Sequence, residues 1–175
     1  MVSEKGLNYW WGNDVKYGRT QWSFFTSEKP YETISWNIKN VGSLSVNDCL
    51  PASFSEAEAY FDENISYEQY KTITKYQDNM GVFMTDRQYE NLLSEYFDMS
   101  KLTASVFDNP QAVRNILNDG GLIHTSMPDG GIFHSDNLRS ISYYSNKIVL
   151  RYRIGSYKLS SVNNDWLFYI LKKLR

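Results

Sequence analysis

Thiol and imidazole side chains, the groups of thiol catalysis and soft metal binding, are scarce in this sequence. There is one Cys, Cys49, and there are two His, His124 and His134. A lone Cys forms no intramolecular disulfide and builds no multi-Cys zinc cluster. Any imidazole-dependent step must therefore use His124 or His134. Cys49 stands where a loop gives way to a helix, in Asn47-Asp48-Cys49-Leu50-Pro51-Ala52-Ser53. Ser53-Phe54-Ser55-Glu56 reads as a capping box, and Phe54, Ala57 and Phe61 follow at helical spacing. A thiol at a helix N-terminus meets the positive end of the dipole and unpaired N–H groups, which favour the thiolate. The same amides can hold the oxyanion of a tetrahedral intermediate. Pro51 suits the first turn, where its missing N–H would lack an intrahelical partner. The competing reading of Cys49 is a small buried hydrophobe.

The run Asp48-Cys49-Leu50-Pro51-Ala52-Ser53, with Tyr60-Phe61 further along, resembles the nucleophile segment of papain-like cysteine peptidases. It is most similar to the bacteriocin-processing C39-like branch. Members of that branch carry Asp-Cys-Gly-Pro-Ala/Thr-Ser and a Tyr-Tyr or Tyr-Phe pair. The likeness spans residues 47–61, and Leu50 replaces the family's Gly. It implies an α+β, papain-like fold: a helical N-terminal half, with the Cys at a helix N-terminus, packed on a C-terminal antiparallel sheet. It also implies a His at the start of a strand. Gly130-Gly131-Ile132-Phe133-His134 supplies the best match, which makes His134 the expected general base. His124 ranks second, because Met127-Pro128-Asp129-Gly130 interrupts the strand it would begin. The third triad member is left open between Asp165, its neighbours Asn163 and Asn164, Asn146 and Ser156. Asp136 lies two residues from His134, on the same face of a strand. Ser43 stands where the family places an oxyanion-binding Gln, with Asn40 and Asn47 as other candidates.

Three regions must position these groups. Residues 1–48 are an aromatic-rich arm in which Ile34, Trp36 and Ile38 alternate as a strand. Residues 49–119 are a helical half of four helices. Their starts are marked by the Ser53 box, Ser66-Tyr67-Glu68-Gln69, Thr85-Asp86-Arg87-Gln88 and Asn109-Pro110. In the third helix Tyr89, Leu92, Leu93, Tyr96 and Phe97 form one stripe, and Gly120-Gly121 stops the fourth. Residues 120–175 change period. Ile132 to Tyr144 and Lys147 to Ile154 read as an antiparallel hairpin, and Trp166 to Leu171 fits either a buried strand or a helix. No internal repeat or linker divides the 175 residues, so one domain is expected.

Composition excludes several functions. Eighteen Lys+Arg against twenty Asp+Glu leave no basic footprint for nucleic acid. No Gly-rich phosphate loop occurs. A site joining His124, His134 and Asp129 or Asp136 lacks metal-ligand spacing, so neither metal nor cofactor is expected. No apolar run reaches the roughly eighteen residues of a membrane span, and no export signal is evident. The expectation is a soluble protein, cytoplasmic or delivered within a larger secreted one. Fourteen Tyr, nine Phe and five Trp suit core packing and the pinning of an irregular arm. The first reading is a thiol hydrolase, either a cysteine protease or a glutamine deamidase, acting on a protein or peptide as a toxin or effector domain. Residues 6–22 resemble the seam where such domains join an Rhs-type shell, which would add a cognate immunity protein as partner. The second reading is a non-catalytic binding module, such as an immunity protein or a mobile-element inhibitor of host defence.

Overall fold

Two four-stranded antiparallel sheets and three α-helices are built from the described residues, 28–41, 49–62, 64, 69, 84–129 and 132–174 of a computed structural model. In chain order the elements are β1 (Glu32–Ser35), α1 (Cys49–Phe61), α2 (Asp86–Tyr96), β2 (Phe97–Leu102), a 3-10 turn (Ala104–Asp108) and α3 (Pro110–Asn118). Then come β3 (Leu122–Asp129), β4 (Ile132–Asn137), β5 (Ser140–Tyr143), β6 (Ile148–Arg151), β7 (Ser156–Lys158) and β8 (Leu167–Lys173). One sheet has the order β1-β5-β6-β7 and the other β2-β8-β3-β4. Among the described residues no helix is long and apolar enough to cross a membrane.

α1 is the central helix, and residues 50–57 are all buried. Surrounded on every side, a helix has no room for a polar face. Its start differs from the capping-box expectation. The helix begins at Cys49, Ser53 Oγ donates back to the Leu50 carbonyl at 3.0 Å, and Glu56 turns away to two arginines. Two helix starts further on behave as their patterns predict. Thr85 and Gln88 exchange both capping bonds, and Asn109 caps α3 ahead of Pro110. Gly120, at φ 83°, supplies the left-handed residue that ends α3. The helix expected to begin near Ser66, with Tyr70, Ile73 and Tyr76, lies outside the described residues.

Strand lengths depart from the pattern in three places. Phe97 leaves the helical stripe and opens β2. The expected single strand from Ile132 to Tyr144 is two, β4 and β5, in different sheets. The break is the pair Leu138-Arg139, where Leu138 N–H reaches Ile123 O and Arg139 N–H reaches Arg151 O, each at 2.8 Å. β3 runs through Pro128 instead of stopping before it. Pairing of β3 with β8 ends at Ser126, so Pro128 faces a partner on one side only and its missing N–H breaks no ladder there. The ambiguous run after Trp166 is the strand β8, between β2 and β3.

A buried ion network joins α1 to both sheets. Glu56, 1% exposed, takes Arg139 at 2.7 Å on one oxygen and Arg153 at 2.9 Å on the other. Arg139 also reaches Asp136 at 3.1 Å, and Asp136 accepts the Arg153 N–H at 2.9 Å. Burial pushes the Glu56 carboxyl up from its ordinary value, opposed by the charge and hydrogen bond of Arg139. Removing one partner of such a set leaves uncompensated buried charge. Glu56→Ala is therefore expected to lower stability by about 3–5 kcal/mol in denaturant unfolding, with Glu56→Gln losing less.

Candidate active site

The N-terminus of α1 points Cys49 at β4. The thiol is half-buried, and the backbone N–H groups of Ser135, Leu50 and Cys49 itself act on it in favour of the anion. It lines a pocket with Tyr89, Ser126, Phe133, Ser135 and Leu167. Burial nonetheless raises the thiol above its ordinary value, and Asp136 adds to the rise. These amides, though they favour the anion, do not overcome the loss of water. Cys49 rests as a thiol, contrary to the low pKa expected from its helix position alone.

His124 is the buried histidine of the site, fully enclosed at 0% exposure. Phe54 meets its ring edge-on and Tyr89 stacks on it, each with centroids 5.8 Å apart. Its hydrogen bonds define a tautomer. Asn137 Nδ2 donates to Ser53 O at 2.8 Å, so Asn137 Oδ1 must be the acceptor for His124 Nδ1, also 2.8 Å away. Nδ1 therefore carries the proton and Nε2 accepts. The donor to Nε2 is the Tyr89 hydroxyl. Tyr89 has then spent its proton, so its oxygen accepts from Ser135 Oγ at 2.8 Å. Burial drives the Tyr89 phenol well above its ordinary value, which keeps that proton in place. Burial also lowers His124 to about 4, against the Asn137 bond, and leaves the ring neutral at ordinary pH.

Strand register assembles this set. β3 and β4 pair His124 with Asn137 and Ser126 with Ser135. Ser135 and Asn137 share the face of β4 toward α1, since alternate residues share a face. His134 and Asp136 occupy the other face, with His134 Nε2 4.0 Å from Asp136 Oδ2. Among the described residues neither histidine hydrogen-bonds the Cys49 sulfur. Among the described residues no hydrogen bond or ion pair joins the expected Cys49, His134 and Asp165 to one another. Asp165 is exposed in the turn before β8, where its N–H binds Asn163 Oδ1 at 2.9 Å, alongside exposed Asn163 and Asn164. Ser156 opens β7 of the other sheet, and Asn146 lies in the connection between that sheet's β5 and β6. Ser43 and Asn47 lie outside the described residues, and Asn40 accepts a bond from Arg139.

Asn137 and Tyr89 are the residues the sequence reading missed. β3 and β4 pair Asp129 with Ile132, and the register counted back from there pairs His124 with Asn137. Tyr89 looked like any other member of its helical stripe.

No family model matches the chain, and no curated protein sequence matches it. Among solved structures, it is similar to the peptidase domain of Streptococcus ComA, a bi-functional ABC transporter involved in a quorum sensing pathway. The TM-score is 0.50 at 13% identity, over 78% of this chain and 100% of that one. The fold is thus α+β and papain-like, with Cys49 at the start of a helix.

Two outcomes are expected from the His124 cluster. Tyr89→Phe leaves Nε2 buried without its donor and should cost about 1–3 kcal/mol in denaturant unfolding. The folded-state pKa of His124 lies below its unfolded value, so the unfolded chain binds the extra proton as pH falls. Stability from this group is present at neutral pH and lost as pH falls from about 6.5 through about 4. That loss amounts to about 3 kcal/mol. Unfolding free energies of the wild type and His124→Gln across this window should converge toward acid pH.

Proposed function

We propose that this protein is a papain-like thiol hydrolase of the cysteine-peptidase type, with Cys49 as nucleophile. One observation carries the reading: Cys49 lines a pocket at the N-terminus of a helix, with the N–H groups of Ser135, Leu50 and Cys49 acting in favour of its anion. Nucleophilic attack needs a sulfur reachable by substrate, and the developing oxyanion needs fixed donors beside it. The Cys49 and Leu50 amides suit that second task. His124, oriented by its hydrogen bond to Asn137, is the base in this reading. Leu50, Met84, Phe133 and Leu167 give the pocket apolar walls, and Asp86 adds a carboxylate. Such a lining suits a peptide presenting an apolar side chain next to a basic one. A glutamine side-chain amide, hydrolysed by the same chemistry, is the other substrate within this reading.

The effector role belongs to the same proposal and is supported by the resemblance of residues 6–22 to an Rhs-type seam. A cognate immunity protein would then cover the pocket. A non-catalytic binding module is the second reading, and the raised thiol of Cys49 favours it.

Purified wild type and Cys49→Ala are to be compared on a peptide library and on protein glutamines, with cleavage and ammonia release as readouts. The expected result is turnover by the wild type and a loss of at least roughly a thousandfold in Cys49→Ala. Equal background in both would sink the hydrolase reading and leave the binding module. Expression of the same pair in a heterologous host tests the effector role, with growth arrest expected from the wild type alone.

A further inference from the structure

A base that is fully enclosed cannot touch a substrate, and His124 is fully enclosed. Among the described residues a hydrogen-bonded chain of two hydroxyls leads from it to the pocket. Tyr89 Oη bonds His124 Nε2, Ser135 Oγ bonds Tyr89 Oη at 2.8 Å, and both Tyr89 and Ser135 line the pocket beside Cys49. Ser135 is the member of the chain beside Cys49. Its backbone N–H favours the Cys49 thiolate, and its hydroxyl lies three covalent bonds from that nitrogen. The Asn137 amide gives the chain a single direction, with every O–H pointing from the pocket toward Nε2. We infer that Tyr89 and Ser135 are a proton relay through which His124 acts on the Cys49 thiol, a reading that rests on Cys49 being the nucleophile.

The proton balance is as follows. As the sulfur forms its bond to the electrophilic carbon, its proton passes to Ser135 Oγ. The Ser135 proton moves to Tyr89 Oη, and the Tyr89 proton moves to His124 Nε2. The imidazolium keeps its Nδ1–H on Asn137 Oδ1. With a carbonyl substrate the π electrons go to the oxygen, and on collapse the leaving amine takes the proton back along the reversed chain. Neither oxidant nor further reactant is needed. Other titratable groups that act on Cys49, Tyr89 or His124 are His134, Asp136 and Tyr169. Asp136 is itself held by Arg139, and Tyr169 donates to Glu90. Tyr89 and Ser135 are positioning residues in this scheme, acting between the thiol and the base.

The test is alkylation of the full chain by iodoacetamide across pH, in H2O and in D2O, in the wild type, Tyr89→Phe, Ser135→Ala and Ser135→Thr. Circular dichroism confirms folding of each. A thiol assisted by a neutral base reacts at a pH-independent rate between the titration of the base and that of the thiol. The wild type should therefore hold a flat arm above about pH 4, with a solvent isotope effect that reports protons in flight. Tyr89→Phe and Ser135→Ala should lose the arm, their rates falling roughly tenfold per pH unit below the thiol titration. Ser135→Thr retains a hydroxyl and should keep it. A wild type without the arm, or a Tyr89→Phe that keeps arm and isotope effect alike, overturns the relay. Should Tyr89→Phe not fold, the Ser135→Ala and Ser135→Thr pair decides, and equal profiles in the two overturn it. Turnover of peptide is measured beside these rates. An arm that depends on Tyr89 without turnover sustains the relay and removes the hydrolase reading.

Discussion

Glu56 is the constraint on which the placement of everything else depends. A carboxylate at 1% exposure survives only with partners that replace its water, and both partners come from outside its helix. Arg139 sits where the chain crosses from one sheet to the other, and Arg153 follows β6. The Val41 N–H adds a further bond at 3.2 Å, which draws in the segment after β1. Any shift of α1 along its axis would separate charges that have no solvent to fall back on. The start of α1, and with it Cys49, is held in register against β4 for that reason.

The polar set beside the thiol depends on that register in turn. Asn137 reaches the Ser53 carbonyl only while α1 and β4 stay aligned, and this one bond orients the amide. The amide orients His124, and His124 orients Tyr89 and Ser135. One side-chain amide thus sets the direction of a chain that ends in the pocket lined by Cys49. Burial has a cost in reactivity. The surroundings that fix these groups also favour their neutral forms, raising the thiol and lowering the imidazole. The site rests uncharged, unlike a preformed thiolate–imidazolium pair.

Local signals were legible wherever a local interaction does the work. The Thr85–Gln88 box, the Asn109–Pro110 cap and the Gly120 stop are short-range hydrogen-bond and dihedral effects, and all three occur as read. Ser53-x-x-Glu56 has the same spelling as a box and is none, because two arginines far along the chain compete for Glu56 and win. Period alone placed Phe97 on a helix and ran β4 into β5, since neither the strand start nor the change of sheet leaves a mark in residue type. The Pro128 interruption was misread for a related reason. Proline breaks a ladder only where a neighbour asks for its N–H, and which strands flank β3 is a tertiary matter.

The sequence by itself determined that the chain has one thiol and two imidazoles, and that the thiol would open a helix in an α+β, papain-like frame. Those conclusions follow from composition, from helix-start chemistry and from a short resemblance, each readable within a few residues. Only the tertiary structure decided which imidazole faces α1, that Asn137 orients it, and that Tyr89 and Ser135 hydrogen-bond in series from it. Strand register separates the two histidines. Moving one residue along β4 turns a side chain to the opposite face, and that choice is made by pairing with β3 and packing against α1.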